Sequence, residues 1–208
     1  MSILPEKCTV GQVPDSLSKR TAYLKVKDID AVFYGVHLVD RLNYDDLNRF
    51  VMAQQAARSI NNHFRGAGKE KSEALPVVIA GDFNIHPWEQ ALTHPYSFNA
   101  TYVFNRKGPV KRIVPNRKLR REPENMKLYN PTWTLFSDGI LKEGMKNGTF
   151  SYPNPKIGEF SWAFIDQVLI SEEIIPKFNF DSLTVCKVHT KARPDRKAHF
   201  PLVFEINI

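Results

Sequence analysis

The chain has 208 residues, a length that fits one large domain or two small ones. Its composition, 42% hydrophobic and 12% aromatic, is typical of a folded globular protein and excludes a disordered chain. There is no run of 18 apolar residues, which excludes a membrane-spanning helix. The net charge of +7 favours a polyanionic partner such as nucleic acid, anionic lipid or a phosphorylated small molecule, the alternative being a mildly basic surface without a specific partner.

The sequence favours a cytoplasmic location. Met1–Val10 carries no apolar core segment and lacks the pattern of a signal peptide. Cys8 and Cys186 lie far apart and form neither a CxxC pair nor a zinc-binding spacing. A reducing compartment is the simplest setting for such a chain.

The first half of the chain predicts a hairpin, a long helix and a central strand. Thr21–Lys27 alternates apolar and polar residues, and Ala31–Val39 is a continuous apolar run, so the two runs predict paired strands. Helical spacing of apolar residues over Asn43–Phe64 predicts a helix, and Asn43 or Asp45 is available to cap it. Pro76–Ala80 predicts a short buried strand, and Pro87–His94 a short helix.

The second half predicts further strands separated by loops. Asn105–Asn125 has the composition of an exposed loop, and Glu172–Lys177 predicts a helical turn. The predicted strands are Gly148–Tyr152, Ser161–Ser171, Ser182–Val188 and Phe200–Ile206. Strands with few helices that do not alternate strictly predict an α+β fold, in a single domain covering residues 1–208.

The sharpest chemical signal is VVIAGDFN at Val77–Asn84. A buried strand ends there at a glycine and presents Asp82 and Asn84, which are two residues apart and therefore point the same way on an extended segment. A carboxylate can orient or deprotonate water, and an amide can donate to a phosphate oxygen. The alternative is an ordinary turn at a strand end, where Asp and Asn are common.

Two histidines and one further acid accompany this motif. His37 lies in an apolar strand, where a histidine is more often a core or edge residue than a catalyst. Asp166 lies inside an apolar strand and needs a partner, because a buried unpaired charge is costly. His199 precedes another apolar strand, and an Asp–His pair would hold the imidazole in one tautomer.

Taken in order, these motifs resemble the endonuclease/exonuclease/phosphatase superfamily, the DNase I-like fold. The segment LYNPTWTLFSD at Leu128–Asp138 and the GTFSY segment at Gly148–Tyr152 are similar to a bacterial branch of it. The resemblance covers residues 17–208. It implies a four-layer α/β/β/α sandwich of two packed β-sheets with outer helices, incomplete at its N-terminal edge.

The resemblance also implies an activity and roles for the site residues. The activity is metal-dependent phosphoester hydrolysis, usually of a phosphodiester in nucleic acid. Asp82 is similar to the residue that orients the attacking water, and Asn84 to the one that holds the phosphate. His199 is similar to the histidine that contacts phosphate or acts as acid and base, Asp166 to its carboxylate partner, and His37 to a second histidine. Asp82 and Asn84 are the expected ligands of weakly bound Mg²⁺ or Mn²⁺.

The sequence departs from the family pattern at the metal site. In the family, two strands precede the region that matches here; one carries an Asn and the other a Glu that binds the metal. The family also ends in a Ser-Asp-His triplet, and the corresponding residues in this chain are Lys197-Ala198-His199. Asp195 compensates only if its loop folds back. Three explanations stay open: a truncated product, a member that binds phosphate polymers without cutting them, or a second chain that supplies the missing edge. The sequence therefore predicts a nuclease-like phosphodiesterase, with a weak or inactive binding domain as the alternative.

A basic segment bears on the partner. Eight Lys and Arg residues lie between Arg106 and Arg121, before the first acid at Glu122, within a predicted basic loop at 106–125. Such a segment either tracks a phosphate backbone or is merely solvated. The candidate phosphate contacts are Arg117, Lys118, Arg120 and Arg121. Nearby aromatic residues could stack on bases, namely Tyr102, Phe104, Tyr129 and Trp133, of which we expect Trp133 in the core.

Overall fold

A computed structural model describes residues 8–14, 20–26, 29–67, 75–103, 125–137, 148–151, 162–186 and 198–207. The strands are β1 Cys8–Gln12, β2 Thr21–Val26, β3 Val32–His37, β4 Val77–Asp82, β5 Ala100–Thr101, β6 Leu128–Tyr129, β7 Phe150–Ser151, β8 Trp162–Ala163, β9 Asp166–Ile170, β10 Phe178–Val185, β11 Ala198–His199 and β12 Leu202–Ile206. The helices are α1 Asp46–Ala67, α2 Gln90–Thr93, α3 Thr132–Ser137 and a 3-10 helix at Glu172–Lys177. None of the helices in these described residues is long and apolar enough to cross a membrane.

The strands form three sheets. The main sheet has seven strands in the order β1-β2-β3-β4-β9-β6-β5. β3 and β4 are parallel and are joined through α1, whereas β4 and β9 are antiparallel. β10 pairs with β12, and β7 lies between β11 and β8 in a small third sheet.

Helix α1 packs on one face of the main sheet. Asp45 caps it, since its carboxylate accepts from the Asn48 N–H at 2.7 Å. The packed face of the helix carries small residues, which allow close approach to the sheet; these are Ala53, Ala56 and Ala57, with Ile60 beside them. They share one core with Val32, Tyr34, Val36, Val77 and Ile79.

The β10–β12 sheet packs on the opposite face. Val78, Val168 and Ile170 point to that side and form a second core with Phe178 and Leu183. Because successive residues of a strand point to opposite faces, β4 is apolar on both. The predicted α+β sandwich of two packed sheets with outer helices is confirmed.

The element boundaries differ from the sequence prediction at several points. Ser161–Ser171 is not one strand, because the chain leaves β8 at Phe164 and enters β9, in another sheet, at Asp166. The helix predicted over Pro87–His94 is the four residues of α2. Strands β1, β5, β6 and β11 and helix α3 were not predicted. Residues 104–124, which contain almost all of the predicted basic loop, lie outside the described residues.

Candidate active site

Three of the predicted site residues form one row across three adjacent strands. His37 at the end of β3 is paired with Asp82 at the end of β4, and Asp82 is paired with Asp166 at the start of β9. Asp82 and Asp166 continue the alternation that places Val78 and Val168 under the second sheet, so both carboxylates face that side. The sheet register alone therefore brings these three residues together.

Gly81 allows β4 to reach the site in this register. Its φ is +146°, a conformation that residues with a Cβ rarely adopt. A Cβ at this position would clash with the carbonyl oxygen of Val36 on the neighbouring strand. The glycine in the GDFN motif is thus required by the close approach of β3 and β4.

Asn84 fixes the orientation of the Asp82 carboxylate. Its backbone N–H donates to Asp82 Oδ1 at 2.9 Å, and its side-chain Nδ2 donates to Asp82 Oδ2 and to the Leu38 carbonyl, both at 3.0 Å. Asn84 has a φ of +52°, a left-handed conformation that asparagine tolerates better than most residues. The DxN spacing therefore makes a closed turn in which both carboxylate oxygens are held.

His199 reaches the same point from the third sheet. Its Nδ1 lies 3.0 Å from Asp166 Oδ2 and 3.2 Å from Oδ1, and its Nε2 lies 3.9 Å from Asp82 Oδ2. The ring also contacts Phe150, with centroids 4.9 Å apart. On the other side of Asp82, the Nε2 of His37 lies 3.6 Å from the same Oδ2. The five predicted residues thus lie together, and their catalytic roles stay predictions.

Thr149 is a supporting residue to which the sequence assigned no role. It is fully buried, and its hydroxyl oxygen accepts from the N–H groups of Ile165 at 3.1 Å and Asp166 at 2.9 Å. The same hydroxyl donates to the Ala163 carbonyl at 3.3 Å. It therefore satisfies the backbone where β8 ends and β9 begins, which fixes the position of Asp166.

Arg49 is a second residue that sequence reasoning missed. Its side chain is only 1% exposed, and its Nη2 donates to the Asn84 carbonyl at 2.7 Å and pairs with Glu89 Oε2 at 3.2 Å. Its Nη1 pairs with Asp46 at 2.9 Å. An arginine on an otherwise apolar helix face was the available signal. It links α1 directly to the loop that carries Asn84.

The surroundings of the site raise the pKa of both carboxyl groups. Burial raises the pKa of Asp82 above its usual range, and the nearby Asp166 carboxylate raises it further, while the Asn84 N–H and both histidines oppose the shift. Burial also raises the pKa of Asp166, against the hydrogen bond and charge of His199. A positive charge bound between the two carboxylates would relieve this penalty.

The donor set fits a divalent cation. Asp82, Asp166 and His199 each offer one ligand atom, and these atoms all lie within 4.8 Å of one another. Two carboxylates and one imidazole are ligands that Mn²⁺ and related divalent metals accept in proteins. Asn84 as a metal ligand stays a prediction.

The remaining predicted residues are not placed. Arg117, Lys118, Arg120, Arg121 and Asp195 lie outside the described residues. Ala198 pairs with Ser151 in the small third sheet, directly before His199.

Comparison with solved structures agrees with the fold. An AP endonuclease from Archaeoglobus fulgidus aligns with 99% of this chain and 72% of its own length, with a TM-score of 0.52 and 10% identity. The human Nocturnin catalytic domain aligns with 98% of this chain, with a TM-score of 0.48 and 14% identity. An endonuclease/exonuclease/phosphatase family protein from Bacteroides thetaiotaomicron aligns with 88% of it, with a TM-score of 0.39 and 20% identity. No family model and no curated protein sequence matches the chain.

The likeness to the AP endonuclease, with its TM-score above 0.5, defines the class of fold. This chain has the fold of the endonuclease/exonuclease/phosphatase superfamily, the DNase I-like fold, as the sequence predicted. It spans 62% of the Nocturnin domain and 53% of the Bacteroides protein, which is less than two thirds of either.

Proposed function

We propose that this chain is a divalent-metal-dependent phosphoester hydrolase that acts on phosphodiesters, with nucleic acid as the favoured substrate. The observation that carries the proposal is the row of His37, Asp82 and Asp166 in one sheet register, closed by His199 at 3.0 Å from Asp166. Membership of the superfamily and a single domain over residues 1–208 belong to the same proposal. The likeness to an AP endonuclease is consistent with it.

The geometry suggests which group moves which proton. Asp82 is held by Asn84 through both oxygens, so it can accept a hydrogen bond from a water molecule and take its proton as the water attacks phosphorus. Asp166 accepts from Nδ1 of His199, which leaves Nε2 directed toward the site. A protonated His199 can then donate to a phosphate oxygen or to the leaving oxygen as the ester bond breaks, with His37 available on the other side.

A divalent cation would be held by oxygens of Asp82 and Asp166 with His199 nearby. When bound, it would supply positive charge that offsets the developing negative charge on the phosphoryl oxygens. The binding is expected to be weak, because Mg²⁺ retains most of its waters when only one or two carboxylates hold it.

The second candidate function is a binding domain without turnover. Ala198 favours this function, because the family that the chain resembles has an aspartate at this position of its closing triplet. Such a domain would bind phosphodiesters at the same site and leave them intact under every metal condition.

The deciding experiment is a hydrolysis panel on the full chain. Bis(p-nitrophenyl) phosphate, p-nitrophenyl phosphate and short DNA and RNA strands are each tested with Mg²⁺, Mn²⁺ and EDTA. Asp82→Asn and His199→Ala are expected to lower kcat/KM by about 10²–10⁴-fold, the usual effect of losing an acid or base. Glu173→Gln, which removes an exposed carboxylate from the 3-10 helix, is the matched control. Hydrolysis that survives in both site variants would refute the assignment, and no hydrolysis by the wild type would favour the binding domain.

A further inference from the structure

A continuous line of aromatic rings begins two residues after Asn84 of the candidate active site. His86 stacks on Trp88 with ring centroids 4.6 Å apart and planes at 7°. Trp88 contacts Trp133 at 6.3 Å, and Trp133 contacts Tyr102 at 5.1 Å. The rings come from three separate segments, the turn after β4, the residue after β5, and α3. We call Trp88, Trp133 and Tyr102 the aromatic platform.

The platform is open to solvent at both ends. Trp88 is 40% exposed and Tyr102 is 61% exposed, and Trp133 between them is half-buried instead of lying in the core as the sequence predicted. Single exposed apolar residues are ordinary, whereas contiguous exposed rings mark a binding surface. Trp and Tyr are also the residues that contribute most to binding sites.

One polar network ties the platform to the loop of the active site. Arg49 holds the Asn84 carbonyl and the carboxylate of Glu89. Glu89 in turn accepts from the His86 N–H at 2.9 Å. Trp88 therefore lies within a loop whose two ends are fixed on one buried guanidinium, and its ring plane is held by the stacked His86.

A second network fixes the other tryptophan. Gln167, which directly follows a site residue in β9, is 1% exposed and donates to the Ile85 carbonyl. Its Oε1 accepts from Asn130 Nδ2 at 2.7 Å, and Asn130 Oδ1 accepts from the Thr132 N–H at 3.0 Å. This places the start of α3, and with it Trp133, relative to β9. Trp133 is thus positioned by β9, and the loop that carries Trp88 is held by Arg49 of α1 and by Gln167 of β9.

The geometry points to a role for the aromatic platform in stacking a nucleobase of the substrate whose phosphodiester lies at Asp82. This assignment rests on the proposed function and adds the chemistry of the group next to the phosphate. Rigid aromatic rings beside a phosphate site are the arrangement that proteins use to bind single-stranded nucleic acid, because every base has a stacking face. The net charge of +7 suits the same ligand.

The test compares two probes that carry the same phosphates. Hexathymidylate and a hexamer of abasic tetrahydrofuran residues are titrated into the full chain, with fluorescence anisotropy as the readout. Titrations are run in EDTA, which stops turnover, and again with Mn²⁺ on the Asp82→Asn background. The wild type is expected to bind the base-bearing strand about 5- to 150-fold more tightly, the usual effect of stacking one base.

Two variants and a control locate the effect. Trp88→Leu and Tyr102→Leu keep an apolar side chain but remove the stacking face, and each is expected to lose most of the base preference while binding the abasic strand as before. Tyr96→Leu removes a ring of similar exposure, 38%, that contacts His94 outside the platform. It is expected to keep the preference. Circular dichroism melts confirm that each variant is folded.

The outcomes separate this inference from the proposed function. Equal binding of both probes by the wild type, binding of neither probe, or a preference that survives in both platform variants would overturn the platform. Weaker binding of both probes in the variants would assign the rings to the sugar and also overturn it. Hydrolysis of bis(p-nitrophenyl) phosphate without base preference would leave the hydrolase standing and refute only the platform. A base preference in a chain that hydrolyses none of the tested substrates would support the platform and refute the hydrolase.

Discussion

Asp166 shows how one residue serves the site at the expense of stability. Its carboxylate fixes His199 at 3.0 Å, yet burial raises its pKa, so the ionised form is disfavoured in the folded protein. The Asp166 carboxylate also raises the pKa of Asp82. The Oδ2 atom of Asp82 lies 3.6 Å from Nε2 of His37. Replacing Asp166 by a neutral residue therefore removes strain from two carboxyl groups, a trade between stability and activity that is common at enzyme sites.

Asp166→Asn is expected to make the protein more stable at pH 8. A folded-state pKa raised above the unfolded value of 3.8 contributes stability that is fully present below that value and is lost as the pH rises through the folded-state pKa. Asparagine keeps a hydrogen-bond acceptor for His199 and carries no charge. Thermal melts in EDTA should show a higher Tm for the variant at pH 8 and a difference that vanishes below about pH 4. A variant less stable than the wild type at pH 8 would contradict this, and Glu173→Gln controls for the loss of one surface carboxylate.

At the scale of elements, the parallel strands β3 and β4 each contain a glycine, and the two glycines differ in the space available for a side chain. Gly81 on β4 meets the Val36 carbonyl, whereas Gly35 on β3 faces open space, and a methyl group added there would have nothing within 4 Å. Gly35 and His37 are exposed on the side of the second sheet, so this end of β3 borders the open part of the site. The two glycines therefore form a natural matched pair.

Gly81→Ala is expected to destabilise the fold by at least about 2 kcal/mol, because it combines a positive φ with a backbone clash. Gly35→Ala is expected to change the free energy of unfolding by less than about 1 kcal/mol, and in the stabilising direction, since alanine loses less entropy on folding. Urea unfolding followed by circular dichroism measures both. Equal effects of the two substitutions would show that the approach of β3 and β4 does not depend on glycine.

The sequence predicted the elements whose patterns are local. β2, β3, α1, β4 and the 3-10 helix follow from apolar runs, alternation and capping residues. It could not predict that Ser161–Ser171 is divided between two sheets, because the break at Phe164–Ile165 is apolar and is imposed by a hydroxyl, that of Thr149, which is distant in the chain. The two-residue strands β5 and β6 are likewise fixed by their neighbours and not by their own composition.

The five residues that lie together at the candidate site could be selected from the sequence, whereas the residues that support them could not. His37, Asp82, Asn84, Asp166 and His199 stand out in the sequence as polar residues within or next to apolar strands. Thr149 acts through contacts with backbone N–H groups, and such contacts leave no pattern in a sequence. Arg49 was marked only by its charge on an otherwise apolar helix face, which does not reveal its contact with the Asn84 carbonyl.

At the scale of the whole molecule, the charge of the chain predicts its response to salt. Binding of a phosphate polymer releases counterions, so affinity should fall steeply with salt concentration. Replacing Arg117, Lys118, Arg120 and Arg121 by Ala should flatten the plot of log affinity against log salt by about 0.7 for each lost contact with a single strand, and weaken all sequences alike. Lys25→Ala combined with Lys177→Ala removes two positive charges outside the basic segment and shows how much of the effect per charge comes from net charge. An unchanged slope in the quadruple variant would make the basic segment a solvated loop.

The row of His37, Asp82 and Asp166 has a further consequence for how the sheet is aligned. Both faces of β4 are apolar along Val77–Ala80, so burial alone would tolerate a shift of one residue against β3. Such a shift would turn Asp82 into the apolar core beneath α1 and move the glycine away from the one carbonyl that requires it. The polar ends of the strands therefore select the register, because a pairing shifted by one residue would bury a charge.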